Sequence, residues 1–176
     1  MCAKYHDVVE ARKAAEDATD PSILAELAYY PFVFVKRAVA LNRHSDQSIL
    51  KSLIPPRITT NEDFDVVAAV VAHPATGAEL CTIAMDAIRP ALGNIEPRDY
   101  FARQCVQEVF AHPLLPPASL GPVLAGLKDF LRGLIATTSR NRGILHHLCH
   151  DRSPKISAKA AQRLSELFPN SSTGSP

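Results

Sequence analysis

The sequence predicts an all-α protein, a short α-solenoid of stacked antiparallel helix pairs, and three observations carry that reading. Val39-Ala40-Leu41-Asn42, Val70-Val71-Ala72-His73 and Val109-Phe110-Ala111-His112 each close an apolar helical run on Asn or His. Both residue types tolerate the left-handed backbone that stops a helix. Leu50, Leu80 and Leu120 then open the next apolar stripe seven or eight residues later. Proline supplies the third observation. Pro21, Pro31, Pro97 and Pro154 sit where a first helical turn needs no N–H donor, and Pro55, Pro56, Pro74, Pro113, Pro116 and Pro117 fall in connectors. A helix, a stop, a connector and another helix, repeated, is the pattern of a solenoid.

The elements follow in order. A first helix over about Asp7 to Ala18 carries a weak apolar face of Val8, Val9, Ala11, Ala14 and Ala15, with Glu10, Arg12, Lys13, Glu16 and Asp17 as a polar cap. Thr19 or Asp20 caps a second helix with Ile23, Leu24 and Leu27 at helical spacing. Pro31 starts a third. Its opening Phe32-Val33-Phe34-Val35 has strand character, but no partner strand of similar quality occurs elsewhere. Ser45 is expected to cap the helix of Ile49, Leu50 and Leu53, and Thr76 the helix of Leu80, Ile83 and Ala84. Phe64 to Ala72 lies between them. From Pro97 a longer helix carries Phe101, Cys105 and Val109. Residues 116–138 are less regular, interrupted by Gly121, Pro122, Gly126 and Gly133. Ser139 or Asn141 begins the helix of Ile144 and Leu148, and Ser153-Pro154 begins the last. The expected organisation is one domain, residues 1–168. It has a cap helix over 1–18, units at 19–43, 45–74, 76–113 and 116–168, and a flexible tail over 169–176.

The 176 residues are 47% hydrophobic and 21% charged, an ordinary globular composition. No apolar run approaches the roughly 20 residues of a membrane span. The first residues lack the apolar core of a secretion signal, so no membrane and a cytoplasmic location are expected. Cys2, Cys81, Cys105 and Cys149 form no C-x-x-C pair. The last three lie in apolar helical stretches and read as small core residues.

Leu24, Leu27, Ala28, Val35, Lys36, Val39, Ala40 and Asn42 fall in the register L-x-x-L-A-x-D-x-S-x-x-V-R-x-x-V-A-x-N-P. Leu145, Leu148, Asp151, Ser153, Ile156, Ala160 and Ala161 do the same. On those residues the chain resembles the leucine-rich repeat variant family, bacterial helical repeats akin to HEAT repeats. The resemblance spans most of residues 19–168. It implies stacked helix pairs that present a surface to a partner. The middle of the chain departs from it: His73 follows Asn42 by 31 residues, and His112 follows His73 by 39. Some members carry a cysteine-ligated iron–sulfur cluster, and this chain has no cysteine cluster to match, so no cofactor is expected.

His146, His147, Cys149 and His150 are the one metal-like group, with His146 and His150 four apart on a helix face. No H-E-x-x-H arrangement accompanies them, and histidines near a helix C-terminus also interact favourably with its dipole. His44, His73 and His112 recur at repeat boundaries as helix ends. No G-x-S-x-G or phosphate-binding glycine loop is present. Neither a catalytic nor a metal site is expected.

Charge is the informative remainder. Residues 1–99 hold ten Lys or Arg against fourteen Asp or Glu, whereas residues 100–176 hold nine against four. A partner-binding surface is therefore expected at Lys128, Arg132, Arg140, Arg142, His146, His150, Arg152, Lys155 and Lys159. It would face a protein partner with an acidic surface. The alternative is a phosphate backbone, since helical-repeat DNA glycosylases are similar in architecture and cradle duplex DNA. Against that stand a pI near 7.7, the absence of Trp and no evident catalytic Asp beside aromatics. The oligomeric state is left open.

Overall fold

Polar caps and prolines cut the chain into short helices, and the apolar spacing within each decides which side is buried. The computed structural model describes Tyr5, residues 7–117 and residues 120–169, so residues 170–176 of the expected tail lie outside the described residues. Among the described residues there are eleven α-helices, one 3-10 helix and no strand. They divide into two compact units, 1–90 and 91–176.

The first unit holds α1 (Val8–Asp17), α2 (Pro21–Leu27), α3 (Val33–Leu41), α4 (Gln47–Leu53), α5 (Asn61–Ala72) and α6 (Ala78–Ile88). Helix α1 packs on α3 and α3 on α5, while α2 packs on α4 and α4 on α6. Leu24, Leu27, Val35, Val39, Leu50, Val67, Val70 and Leu80 fill the space between these rows. A 3-10 helix over Arg89–Asn94 follows. The second unit holds α7 (Tyr100–Ala111), α8 (Gly121–Gly126), α9 (Asp129–Thr138), α10 (Arg142–Leu148) and α11 (Pro154–Leu167). There α7 packs on α9, α9 on α11, and α10 on both α9 and α11. Its core is Cys105, Val109, Phe110, Leu120, Leu124, Leu131, Ile135, Leu145 and Leu148.

The helix stops fall at Asn42, His73 and His112, each the C-cap of its helix. Their backbone differs from expectation. All three are extended, with φ between −65° and −74°, and no described residue has positive φ. The side chains do the work instead. Asn42 Oδ1 accepts the His44 N–H, His73 Nδ1 that of Ala75, and His112 Nδ1 that of Leu114. For Asn42 and His73 the other end of the side chain reaches carbonyls 24 to 31 residues earlier in the chain. Asn42 Nδ2 donates to the Ala15 and Ala18 carbonyls, 2.8 Å each, and His73 Nε2 lies 3.1 Å from the Asn42 carbonyl. In the second unit Asn141 takes this role, its Nδ2 donating to the Leu115 carbonyl at 2.7 Å.

Four local expectations are corrected. Ser45 and Thr76 do not cap the helices that follow them; Asp46 and Gly77 occupy those positions. Their hydroxyls turn back instead, donating to the Val39 and Val70 carbonyls, which also accept the Asn42 and His73 N–H groups at the ends of the preceding helices. Pro31 and Pro97 precede their helices rather than starting them. Extended Phe32 intervenes before α3, and Pro97 sits in the Glu96–Asp99 turn, where its fixed φ is suited. Pro21 and Pro154 do occupy first helical turns.

Candidate functional site

The residues expected to bind a partner all lie in the second unit, and helix packing sorts them into three environments. Arg132 is drawn inside. It follows α9's buried Leu131 and is 1% exposed. Its Nε donates to Asp151 Oδ2 at 2.7 Å, Nη2 to Asp129 Oδ1 at 3.0 Å, and Nη1 to the Leu127 carbonyl. Burial disfavours the Arg132 charge, but Asp151 and Asp129 outweigh it and raise the pKa. Burial likewise opposes the Asp151 carboxylate, and the hydrogen bonds from Arg132 and the Ser153 N–H hold it below the usual carboxylate range. Arg132 therefore ties α9 to the end of α10 and leaves the surface set, a correction that no local pattern signals. Lys128 is also engaged, its Nζ donating to the Ile95 carbonyl and to Glu96.

The second environment is a cleft of about 730 Å³ between α8 and α10, lined in part by Gly121, Leu124, His146, His147, His150 and Arg152. The His146 and His150 rings lie 5.4 Å apart, and His150 Nδ1 is 3.1 Å from the His146 carbonyl. Among the described residues no three His, Cys, Asp or Glu side chains group as a metal site requires. The adjacent Asp151 is held by Arg132. Exposed Arg152 lies 3.6 Å from Asp129, and exposed Arg142 stacks over the Phe168 ring at 5.9 Å. Arg140 is exposed beyond the end of α9.

The third environment is a groove of about 540 Å³ across α7, α9 and α11. Helix α9 forms its floor. Leu131, Ile135 and Ala136 turn to the core, so Phe130, Gly133, Leu134 and Thr137, spaced i, i+3, i+4, i+7, share the opposite side. Helix α11 forms one wall. With Ser153 as N-cap and Pro154 at the first position, Ile156 and Ala160 are buried while Lys155 and Lys159 line the groove four residues apart. Neither lysine makes a hydrogen bond or ion pair among the described residues. Arg103 of α7 stands on the other wall, its Nη1 donating to the Pro97 carbonyl at 2.9 Å. Lys155 and Lys159 thus come together in one site, and His146, His150 and Arg152 in another. Arg103, Phe130, Gly133 and Leu134 are additions. The signal for the three α9 residues is a helix apolar on two opposite faces, with a glycine in the middle of the outer one; Arg103 on α7 carries no such signal.

Cys81 and Cys149 are not primed for nucleophilic chemistry. Burial pushes the Cys81 thiol up to about 11 and raises Cys149 as well, the reverse of what an attacking thiolate needs. Cys105 is fully buried, and Cys2 lies outside the described residues. No helix among the described residues is long and apolar enough to cross a membrane. Comparison with protein-family models, with curated proteins and with solved structures gave no match.

Proposed function

We propose that the chain is a short α-solenoid of the HEAT-like, leucine-rich repeat variant kind that acts in the cytoplasm as a protein-binding module without catalysis of its own. Its partner carries an acidic surface. The alternation of helices within each unit supports the repeat reading, as do the Asn and His side chains that tie one repeat to the one before. The observation that carries the function is the pair Lys155 and Lys159, without a partner among the described residues, beside the outward apolar side of α9. A cation left unpaired at an apolar groove favours a ligand that brings both carboxylates and apolar area. Arg140 and Arg142 extend the basic rim as exposed residues.

The test is affinity capture from native cytoplasm at low and high salt, with nuclease treatment, comparing the wild type with Lys155→Glu/Lys159→Glu. A stoichiometric protein that survives nuclease and is lost with the double variant is the expected result. Equal capture by both proteins removes the site. Recovery of nucleic acid that disappears at high salt moves the function to phosphate-backbone binding.

A further inference from the structure

The groove across α7, α9 and α11 contains a feature that folding alone does not require. Gly133 sits in the interior of α9, where glycine costs about 1 kcal/mol relative to alanine. Neither backbone geometry nor packing calls for it. No described residue has positive φ, and a Cβ built at Gly133 meets nothing within 4 Å. Gly143 in the same unit is the contrast, since its Cβ would come within 2.7 Å of the Pro117 ring. The space at Gly133 therefore opens outward, into the groove between Phe130 and Leu134.

We infer that the groove is a socket for an acidic amphipathic helix, with one bulky apolar side chain of that helix seated over Gly133. This rests on the protein-binding reading above and specifies what the partner presents. Phe130 and Leu134 flank the seat with apolar area, which favours a leucine, methionine or phenylalanine there. Lys155 and Lys159, one turn apart on the wall, match carboxylates spaced i, i+4 on the incoming helix. Arg103 offers a third cation opposite. The absent side chain at Gly133 lets a second helix approach α9 more closely than a leucine there would allow. A nucleic acid fits less well, because its sugar–phosphate edge has nothing to place on Phe130 and Leu134.

The probe is a synthetic alanine-rich helical peptide with glutamates at i, i+4 and a single central leucine, titrated against the full chain by fluorescence anisotropy. Its amide footprint is read by NMR. The wild type is expected to bind with shifts centred on Phe130, Gly133 and Leu134. Replacing the peptide's leucine by alanine is expected to weaken binding about tenfold. Gly133→Leu fills the seat and is expected to abolish binding with helicity retained by circular dichroism, and Lys155→Glu/Lys159→Glu to abolish it as well. The inference is overturned if the peptide does not bind, if the leucine and alanine peptides bind equally, or if Gly133→Leu binds like the wild type. A DNA duplex that outcompetes the peptide, or self-association of the protein that Gly133→Leu removes, overturns it too. If the peptide series fails while cytoplasmic capture still depends on the two lysines, the module reading stands and only the socket falls.

Discussion

In residues 1–90 the crease between α1 and α3, about 230 Å³, is floored by Phe34, Ala38 and Leu41 and edged by Arg12 and Arg37. Each of those arginines already holds a carboxylate: Arg12 pairs with Glu16 at 2.7 Å and Arg37 with Asp65 at 3.1 Å. In residues 91–176 the groove over α9 has a similar apolar floor, but Lys155 and Lys159 have no such partner among the described residues. The first unit also exposes more aromatic surface, with Tyr29, Phe32 and Phe34 outside and the Tyr30, Phe32 and Phe34 rings in a row about 6 Å apart. Exposed apolar area is thus common to both units. Unsatisfied charge beside it is what separates the α9 groove from the α1–α3 crease, and charge is what makes a surface choose among partners.

The sharpest way to break this comparison is to exchange what each unit does with an arginine. Arg132→Ala leaves the Asp151 carboxylate buried without its partner, and unfolding in urea is expected to show a loss of about 3–5 kcal/mol. Arg37→Ala removes an exposed pair and is expected to cost less than about 1 kcal/mol. Equal losses would mean that the buried pair is no more structural than the surface one. The double variant Arg132→Met/Asp151→Leu is expected to recover much of the loss, since it leaves no buried charge.

A second test asks whether both units rely on the same side-chain tie. Asn42→Ala leaves the buried Ala15 and Ala18 carbonyls without their Nδ2 donor, and Asn141→Ala does the same to Leu115. Each is expected to cost about 2–3 kcal/mol, measured by chemical denaturation. A large loss at Asn42 with none at Asn141 would show that the second unit is held together by its core alone.

That pair also shows how much was legible in the sequence. The stop at Asn42 is readable because Asn42 is itself the C-cap of an apolar helix. Asn141 does the same job three residues beyond the end of α9, while also accepting the Ile144 N–H as an N-cap, so pattern spacing places it only at a helix start. Ser45 and Thr76 mislead for a related reason: a hydroxyl after a helix can satisfy the carbonyls behind it as readily as the N–H groups ahead. Lys155 and Lys159 could be chosen from charge and i, i+4 spacing. Arg132 has the same charge, but its fate depends on Asp151, 19 residues away across a helix contact. Gly133 reads as an interruption in an apolar helix. Only the packing around it shows that the interruption faces outward.

Gly133 and Gly143 of the second unit give a smaller, opposite pair of effects. Gly143→Ala brings a methyl against Pro117 and is expected to destabilise by about 1–3 kcal/mol. Gly133→Ala adds a better helix former in open space and is expected to stabilise by about 0.5–1 kcal/mol in thermal or urea unfolding. Should Gly133→Ala destabilise, the space at Gly133 belongs to the fold rather than to a ligand.

The smallest effect concerns the stops themselves. Burial lowers the His112 pKa from its usual 6.5 in the folded state, and protonating Nδ1 would also remove the acceptor of the Leu114 N–H. Below pH 6.5 the unfolded chain takes up this proton before the folded one does. The His112 contribution to stability is therefore present in full above pH 6.5, where both states are neutral. It is lost as the pH falls through the lower folded-state value. Asn42 shows how to remove this dependence, because its Oδ1 accepts the equivalent i+2 N–H without titrating. His112→Asn should keep stability near that of the wild type at pH 8 and be less destabilised between pH 6.5 and 5. Subtracting the two stability curves cancels every other titrating group, so a difference that does not change over that range would mean that the His112 stop is held by packing and not by the neutral ring.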